Sequence, residues 1–116
     1  MSARLATSVL VGGLVRKAET QGGFAAVIAK GDPTAGSLIV VLLERGAVKL
    51  ILERILQPDG DYKWLSVASQ TTEDINKNAD VPAFVASRRR FDPDLWVLEL
   101  DIPSAERFAA EMNSGG

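Results

Sequence analysis

The sequence contains no cysteine and no histidine. Without them it lacks the usual ligands of structural zinc, a thiol nucleophile, an imidazole base and a Ser-His-Asp triad. Any catalysis would therefore have to use carboxylates, lysine, hydroxyl groups or a bound cofactor. The absence of cysteine also fits a cytoplasmic protein, because disulfides are typical of oxidising compartments.

The sequence also lacks a basic surplus and a long apolar run. Lys and Arg number 13 and Asp and Glu number 15, so the formal net charge is −2, whereas a general nucleic-acid binder is usually basic. The apolar stretch 5–15 is too short to span a bilayer and is not followed by a signal-peptide cleavage site, which favours a buried helix over secretion. We therefore expect no membrane partner, no nucleic-acid partner and a cytoplasmic location.

The 116 residues predict a single domain over residues 1–116, with residues 113–116 as a disordered tail. Hydrophobic periodicity and turn residues predict the order α-β-β-β-β-α-β-α. The predicted helices cover 3–21, 81–91 and the stretch from 103 onwards, and the predicted strands cover 24–29, 38–43, 48–55, 62–68 and 95–100. Asp80 is the expected N-cap of the second helix, and Gly12 and Gly13 are expected to let another backbone approach the first.

This order indicates an α+β fold with a mostly antiparallel sheet of about five strands and two to three helices packed mainly on one face. The segments 38–43 and 95–100 are almost wholly apolar, so we predict that they are the central strands, buried on both faces. The segments 38–43 and 48–55 flank a short turn at Gly46 and are predicted to form an antiparallel hairpin.

The first candidate site is the turn Gly31-Asp32-Pro33-Thr34-Ala35-Gly36. Glycine-rich turns can bind phosphate through their backbone N–H groups. This one lacks the Lys-Ser/Thr of a P-loop and leads into a strand, and Asp32 would repel a phosphate. The favoured interpretation is a tight hairpin turn with a positive φ at Gly36.

The second candidate site is the charged segment around the end of the second predicted helix. Arg88 and Arg90 could contact an anion or RNA, and Asp92 and Asp94 could bind a metal or act in acid–base catalysis. The favoured interpretation is structural. Cations in the last turn interact with the helix dipole and pair with the two aspartates, and Asp92-Pro93 forms a turn.

Trp96 allows two functional interpretations of the chain. It could line a pocket near Arg88 and Asp92, as in a small-ligand or nucleotide-associated enzyme subunit. The favoured interpretation is a buried or interface anchor, because tryptophan supplies a large apolar area and needs one hydrogen bond. The patterns identify no catalytic residue, no metal ligand and no cofactor-binding residue, so we predict no cofactor and favour a protein that is not an enzyme.

The apolar strands suggest an interaction surface. A sheet that its own helices leave uncovered invites a partner, and a two-fold homodimer is the commonest arrangement; the alternative is that the helices and the strand of Trp64 cover the sheet. Our leading hypothesis is a non-catalytic module that binds a second copy of itself, or an unidentified protein partner, through its sheet and aromatic surface.

Three segments carry a resemblance to a known family: residues 23–27, the 31–36 turn, and above all Arg90-Phe91-Asp92-Pro93-Asp94-Leu95-Trp96-Val97. With these the sequence resembles the short alphaproteobacterial proteins catalogued as domain of unknown function 1491. The resemblance extends from the first helix through Leu100, and the match is poor over 57–78. It implies a compact bacterial, cytoplasmic domain and no particular activity, because the family has none assigned.

Overall fold

The computed structural model describes residues 5–67 and 81–114, which form three helices and five strands in the order α-β-β-β-β-α-β-α. The helices are α1 (Thr7–Thr20), α2 (Val81–Phe91) and α3 (Ala105–Ser114), and the strands are β1 (Phe24–Ala29), β2 (Leu38–Glu44), β3 (Ala47–Leu56), β4 (Tyr62–Ser66) and β5 (Trp96–Asp101). The predicted order is confirmed. Helix α3 includes Asn113 and Ser114, which we had assigned to the tail, and Asp80 lies outside the described residues.

The five strands form one mixed sheet in the order β1-β5-β2-β3-β4. Strand β5 is parallel to β2, and the other neighbouring pairs are antiparallel. The two apolar strands β2 and β5 lie inside the sheet, as predicted. The β2–β3 hairpin is also present, and Arg45 (φ 52°) and Gly46 (φ 81°) adopt the left-handed conformation that two-residue hairpin turns require.

The helices cover the two faces of the sheet unequally. Alternation along β2 and β5 divides their side chains between two apolar clusters. Helices α1 and α3 pack against the first cluster, which includes Val40, Leu98 and Phe108. Helix α2 packs against the second cluster with its two buried residues, Val81 and Val85. We call these the α1/α3 face and the α2 face; most of the helical cover lies on the first.

Glycines 12 and 13 do not have the role we predicted. A Cβ atom added at Gly13 would meet no atom within 4 Å, and one at Gly12 would meet only the guanidinium of Arg16 at 3.4 Å. Within residues 5–67 and 81–114, no other backbone approaches α1 at these positions. The close approaches lie elsewhere, at the ends of β1 and before β2.

Glu111 connects α3 to α1. Its Oε1 lies 3.1 Å from Lys17 Nζ and accepts a hydrogen bond of 3.2 Å from Gln21 Nε2. Arg107 Nε donates to its other oxygen at 3.3 Å. The hydrogen bond from Lys17, followed by the one from Gln21, lowers the pKa of the Glu111 carboxyl below its ordinary value.

We expect Glu111→Gln to reduce the loss of stability at acid pH. Because the native pKa is lowered, the contacts of Glu111 stabilise the native state above the unfolded pKa of about 4.3, and this contribution disappears as the pH falls through the native pKa. Melting temperatures measured from about pH 7 to about pH 3 should therefore converge for wild type and variant. Glu19→Gln, at an exposed position on α1, is the control. If the difference in melting temperature between wild type and Glu111→Gln stayed constant over this pH range, the expectation would be wrong.

Candidate functional site

The glycine-rich loop 31–36 is not the hairpin turn that the sequence suggested. It joins β1 to β2, but β5 lies between these strands. Gly36 does not have a positive φ; among the described glycines only Gly22, Gly46 and Gly60 do. A Cβ atom at Gly31 or at Gly36 would instead overlap the carbonyl oxygen of Asp94. The loop needs these two glycines because its backbone lies against the chain just before β5.

Asp32 holds this loop in place. Its Oδ2 accepts hydrogen bonds from the backbone N–H groups of Thr34 at 3.2 Å and Ala35 at 2.8 Å. Its backbone N–H donates to the carbonyl of Asp94 at 3.1 Å. Its carbonyl accepts a hydrogen bond of 2.7 Å from the indole Nε1 of Trp96. The carboxylate thus closes its own loop, in the manner of an Asx turn.

Trp96 lies in the core on the α1/α3 face, with 4% of its surface exposed. The indole N–H, the one polar group of its side chain, donates to the carbonyl of Asp32. The arginine segment is placed at the other side of the sheet, on α2, whose buried residues belong to the second cluster. The structure therefore does not bring Trp96 and Arg88 together around one pocket.

The arginines do not pair with the aspartates that follow them, as we had expected. Arg88 forms an ion pair with Glu53 of β3, and the Arg89 guanidinium donates to the carbonyls of Pro93 at 3.1 Å and Lys30 at 3.3 Å. Arg90 is exposed. Glu53 and Lys30 are far from α2 in sequence, so the spacing of the charged residues could not identify them as partners.

Asp92 and Asp94 belong to the turn between α2 and β5. The backbone N–H of Leu95 donates to the carbonyl of Asp92 at 3.1 Å and closes this turn. Asp94 is exposed, and its carbonyl receives the backbone N–H of Asp32. Within residues 5–67 and 81–114, no three acidic side chains lie close enough together to hold a metal ion.

A different feature stands out at the edge of the sheet that β1 forms. The six residues of β1, Phe-Ala-Ala-Val-Ile-Ala, contain no charge and no proline. Phe24 is 77% exposed, and Val27 and Ile28 are each 48% exposed. Among the described strands, β1 pairs only with β5. Its outer edge therefore combines free strand backbone with exposed apolar side chains, the combination that native edge strands usually avoid.

The opposite edge of the sheet, formed by β4, is blocked. The side-chain amide of Asn113 accepts a hydrogen bond from the Trp64 backbone N–H at 2.8 Å and donates one to the Trp64 carbonyl at 3.1 Å. It occupies the backbone groups that a further strand would use. The exposed Lys63 adds a charge at the same edge. The two edges of the sheet are therefore unequal, and only that of β1 offers an uncharged strand.

A groove of about 560 Å³ lies beside β1 on the α2 face. Ile28 and Ala29 of β1 form one side of it, and Val85 of α2 contributes to the other. Most of its lining is apolar, but the charged residues Arg89 and Glu99 also line it. The sequence pattern predicts β1 as a strand but does not predict that it lies at the edge of the sheet. The local signal was present, since no charge interrupts its six residues, but the position of a strand in a sheet depends on long-range pairing.

A family model described as "Protein of unknown function (DUF1491)" matches residues 5–110. The chain belongs to this family. The resemblance drawn from residues 23–27, 31–36 and above all 90–97 is thereby confirmed. A comparison with curated proteins found no match.

Solved structures of DUF1491 proteins share the fold. The crystal structure of a DUF1491 family protein from Caulobacter crescentus CB15 is 29% identical, with a TM-score of 0.77, covering 90% of this chain and 94% of that chain. An NMR structure of a DUF1491 family protein from the same organism is 30% identical, with a TM-score of 0.74, covering 92% and 94%. Protein Atu0922 from A. tumefaciens is 25% identical, with a TM-score of 0.73, covering 91% and 92%.

These DUF1491 relatives come from alphaproteobacteria, and their descriptions name no activity or ligand. They support the architecture and leave the function to be inferred from the surface of the molecule. In the part of the chain that the structure describes, no helix has the length and apolar character needed to cross a membrane.

Proposed function

We propose that this DUF1491 protein is a non-catalytic interaction module that associates with a second copy of itself through the outer edge of β1. The observation that carries this proposal is the uncharged, six-residue edge with Phe24, Val27 and Ile28 exposed. An added strand would satisfy the free N–H and C=O groups of this edge, and its side chains would cover the apolar ones.

A second copy is the partner that best fits the charge pattern and the unequal edges. Pairing β1 with another β1 brings no like charges together, because the strand has none. Since Asn113 blocks the edge of β4, two sheets joined at β1 have no second uncharged edge to extend. Association then closes as a dimer with two-fold symmetry instead of continuing as a fibre.

The candidate site residues predicted from the sequence lie apart from one another, which supports an interaction module over an enzyme subunit. Arg88, Arg89 and Asp32 each have a partner within the protein, and the ring of Trp96 is in the core. These four side chains do not converge on one shared pocket, and of them only Arg89 lines the groove beside β1. We place the module in the cytoplasm, in keeping with the absence of cysteine.

Light scattering coupled to size-exclusion chromatography tests the proposal over a series of protein concentrations. Wild-type protein should have the mass of two chains, with a monomer fraction that grows on dilution. Val27→Lys should weaken dimerisation by about tenfold or more, because a lysine at a paired edge disfavours strand addition.

Leu65→Lys is the matched control. Leu65 is also an exposed apolar residue on an edge strand, but it lies on β4, so its substitution should leave the dimer unchanged. A wild-type protein that is monomeric at its highest soluble concentration would overturn the proposal. So would a dimer that Leu65→Lys disrupts and Val27→Lys does not.

A further inference from the structure

On the basis of the self-association proposed above, we infer that the two β1 strands pair antiparallel about a two-fold axis beside Ala26. This arrangement seats Phe24 of each protomer against the largely apolar groove of the other. It follows from the direction of each β1 side chain, from the bulge at Ile28 and from the position of the groove.

The β1–β5 register shows which face each residue of β1 belongs to, because directly opposed residues of an antiparallel pair point to the same face. Ala25 and Val27 oppose Leu100 and Leu98, which belong to the core of the α1/α3 face. By alternation, Phe24 and Ala26 point to the α2 face. A single strand thus presents small or aliphatic side chains to one face and Phe24 to the other.

The far end of β1 departs from this alternation. The register shifts between Val27, which opposes Leu98, and Ala29, which opposes Val97. Val97 belongs to the cluster of the α2 face, so Ala29 points to that face, and Ile28 is the extra residue of a bulge. Both Ile28 and Ala29 line the groove beneath α2.

The start of β1 therefore presents an exposed ring, and its end borders a largely apolar groove, both on the α2 face. Phe24 is 77% exposed and Ile28 is 48% exposed. Antiparallel pairing brings the start of each strand to the end of the other. The ring of one protomer then meets the groove of its partner twice in the same dimer, which is the self-complementarity that a two-fold interface requires.

The requirement that opposed side chains point to the same face of the sheet selects the register. With the axis beside Ala26, that residue opposes the partner's Ala26, Ala25 opposes the partner's Val27, and Phe24 opposes the partner's Ile28. Every opposed pair then shares a face. An axis between two residues would oppose Ala26 to Val27, which point to different faces.

The remaining register with matched faces is less favourable. An axis beside Ala25 would pair only residues 24–26 with one another and leave Val27 and Ile28 beyond the aligned segment. In the Ala26 register the small side chains lie at the crowded axis. Opposed Cβ atoms are about 5 Å apart, so the ring of Phe24 can reach the partner's Ile28 and the α2 residues beside it.

The absence of cysteine from the sequence allows a direct test by disulfide cross-linking. Opposed Cα atoms of an antiparallel pair are about 4.5–5.5 Å apart, within the range of about 4.4–6.8 Å that a disulfide spans. Ala26→Cys should therefore form a linked dimer under mild oxidation. Ala25→Cys and Val27→Cys should not, because each of these residues lies diagonally from its own copy, at about 8 Å.

Phe24→Ala supplies the second measurement. It should weaken dimerisation by about tenfold or more, because the substitution removes the ring that is buried in the partner's groove. Phe91→Ala is the matched control, since Phe91 is also an exposed phenylalanine, 83% exposed at the end of α2, and should leave the dimer unchanged.

The outcomes separate this inference from the proposed function. Cross-linking through position 26 with weakened association of Phe24→Ala supports both. A dimer by light scattering that cross-links through position 25 or 27, or through none of the three, overturns the register and leaves self-association in place. A dimer that Phe91→Ala weakens as much as Phe24→Ala overturns the seating of the ring. A monomeric wild type overturns both inferences.

Discussion

Gly31→Ala is expected to lower the free energy of unfolding by about 3 kcal/mol, at the upper end of the usual cost of overpacking. A Cβ atom at this position would overlap the backbone of Asp94 and Leu95, and backbone cannot move aside as the end of a flexible side chain can. The loop would have to separate from the start of β5 and so strain the hydrogen bonds from Asp32 to Asp94 and from Trp96 to Asp32. Urea denaturation measures the loss.

The same substitution at Gly13 is the control, and it should have the opposite sign. Gly13 is in α1, and a Cβ atom there meets nothing within 4 Å. Alanine should therefore raise the free energy of unfolding by about 0.5–1 kcal/mol, because it removes the entropic disadvantage of glycine in a helix. Equal effects of the two substitutions would show that the loop does not pack against β5 as closely as the structure has it.

The contrast between these glycines shows what local sequence could and could not predict. Both pairs of glycines are visible in the sequence, but which of them another backbone approaches depends on where β5 lies. Strand β5 begins about 65 residues after Gly31 in the sequence. In the sheet it lies between β1 and β2. The loop 31–36 has the composition of a hairpin turn, so the sequence predicts a hairpin. Local composition cannot show that a later strand, β5, lies between the two strands that the loop joins.

The central strands were predictable for a physical reason. A strand covered on both faces has to be apolar at nearly every position, and β2 meets this condition, with Leu38 to Leu43 all buried. The hairpin from β2 to β3 was also predictable because its turn and both its strands are adjacent in sequence. The exposed edge of β1 was not, because six apolar residues can equally well lie inside a sheet.

The partners of the charged residues were likewise predictable only where they are close in sequence. Glu53 and Arg88 are 35 residues apart in sequence, and they meet only when α2 packs against the sheet. The sequence pattern favoured the neighbouring Asp92 and Asp94 as partners because only near neighbours can be judged from spacing. Asp32 illustrates the reverse case, since its hydrogen bonds to Thr34 and Ala35 are local and typical of aspartate in turns.

Phe108→Ala is expected to lower the free energy of unfolding by about 3–5 kcal/mol, the usual range for a buried phenylalanine. Phe108 is fully buried on α3, where it belongs to the cluster that joins α1 and α3 to the sheet. Its removal leaves a cavity between a helix and the central strands, which the surrounding structure can fill only in part. Since domains of this size are stable by about 5–15 kcal/mol, the variant should unfold at much lower urea concentration.

Phe24→Ala provides the matched comparison, because it makes the same substitution on the proposed interface. Measured at a concentration where the protein is monomeric, it should leave the free energy of unfolding within about 0.5 kcal/mol of wild type. At high concentration, where binding to a second copy stabilises the native state by mass action, it should become destabilising. Phe108→Ala should be destabilising at both concentrations. If the effect of Phe24→Ala did not depend on concentration, the ring would contribute only to the stability of the monomer, and β1 would not be the surface through which two copies associate.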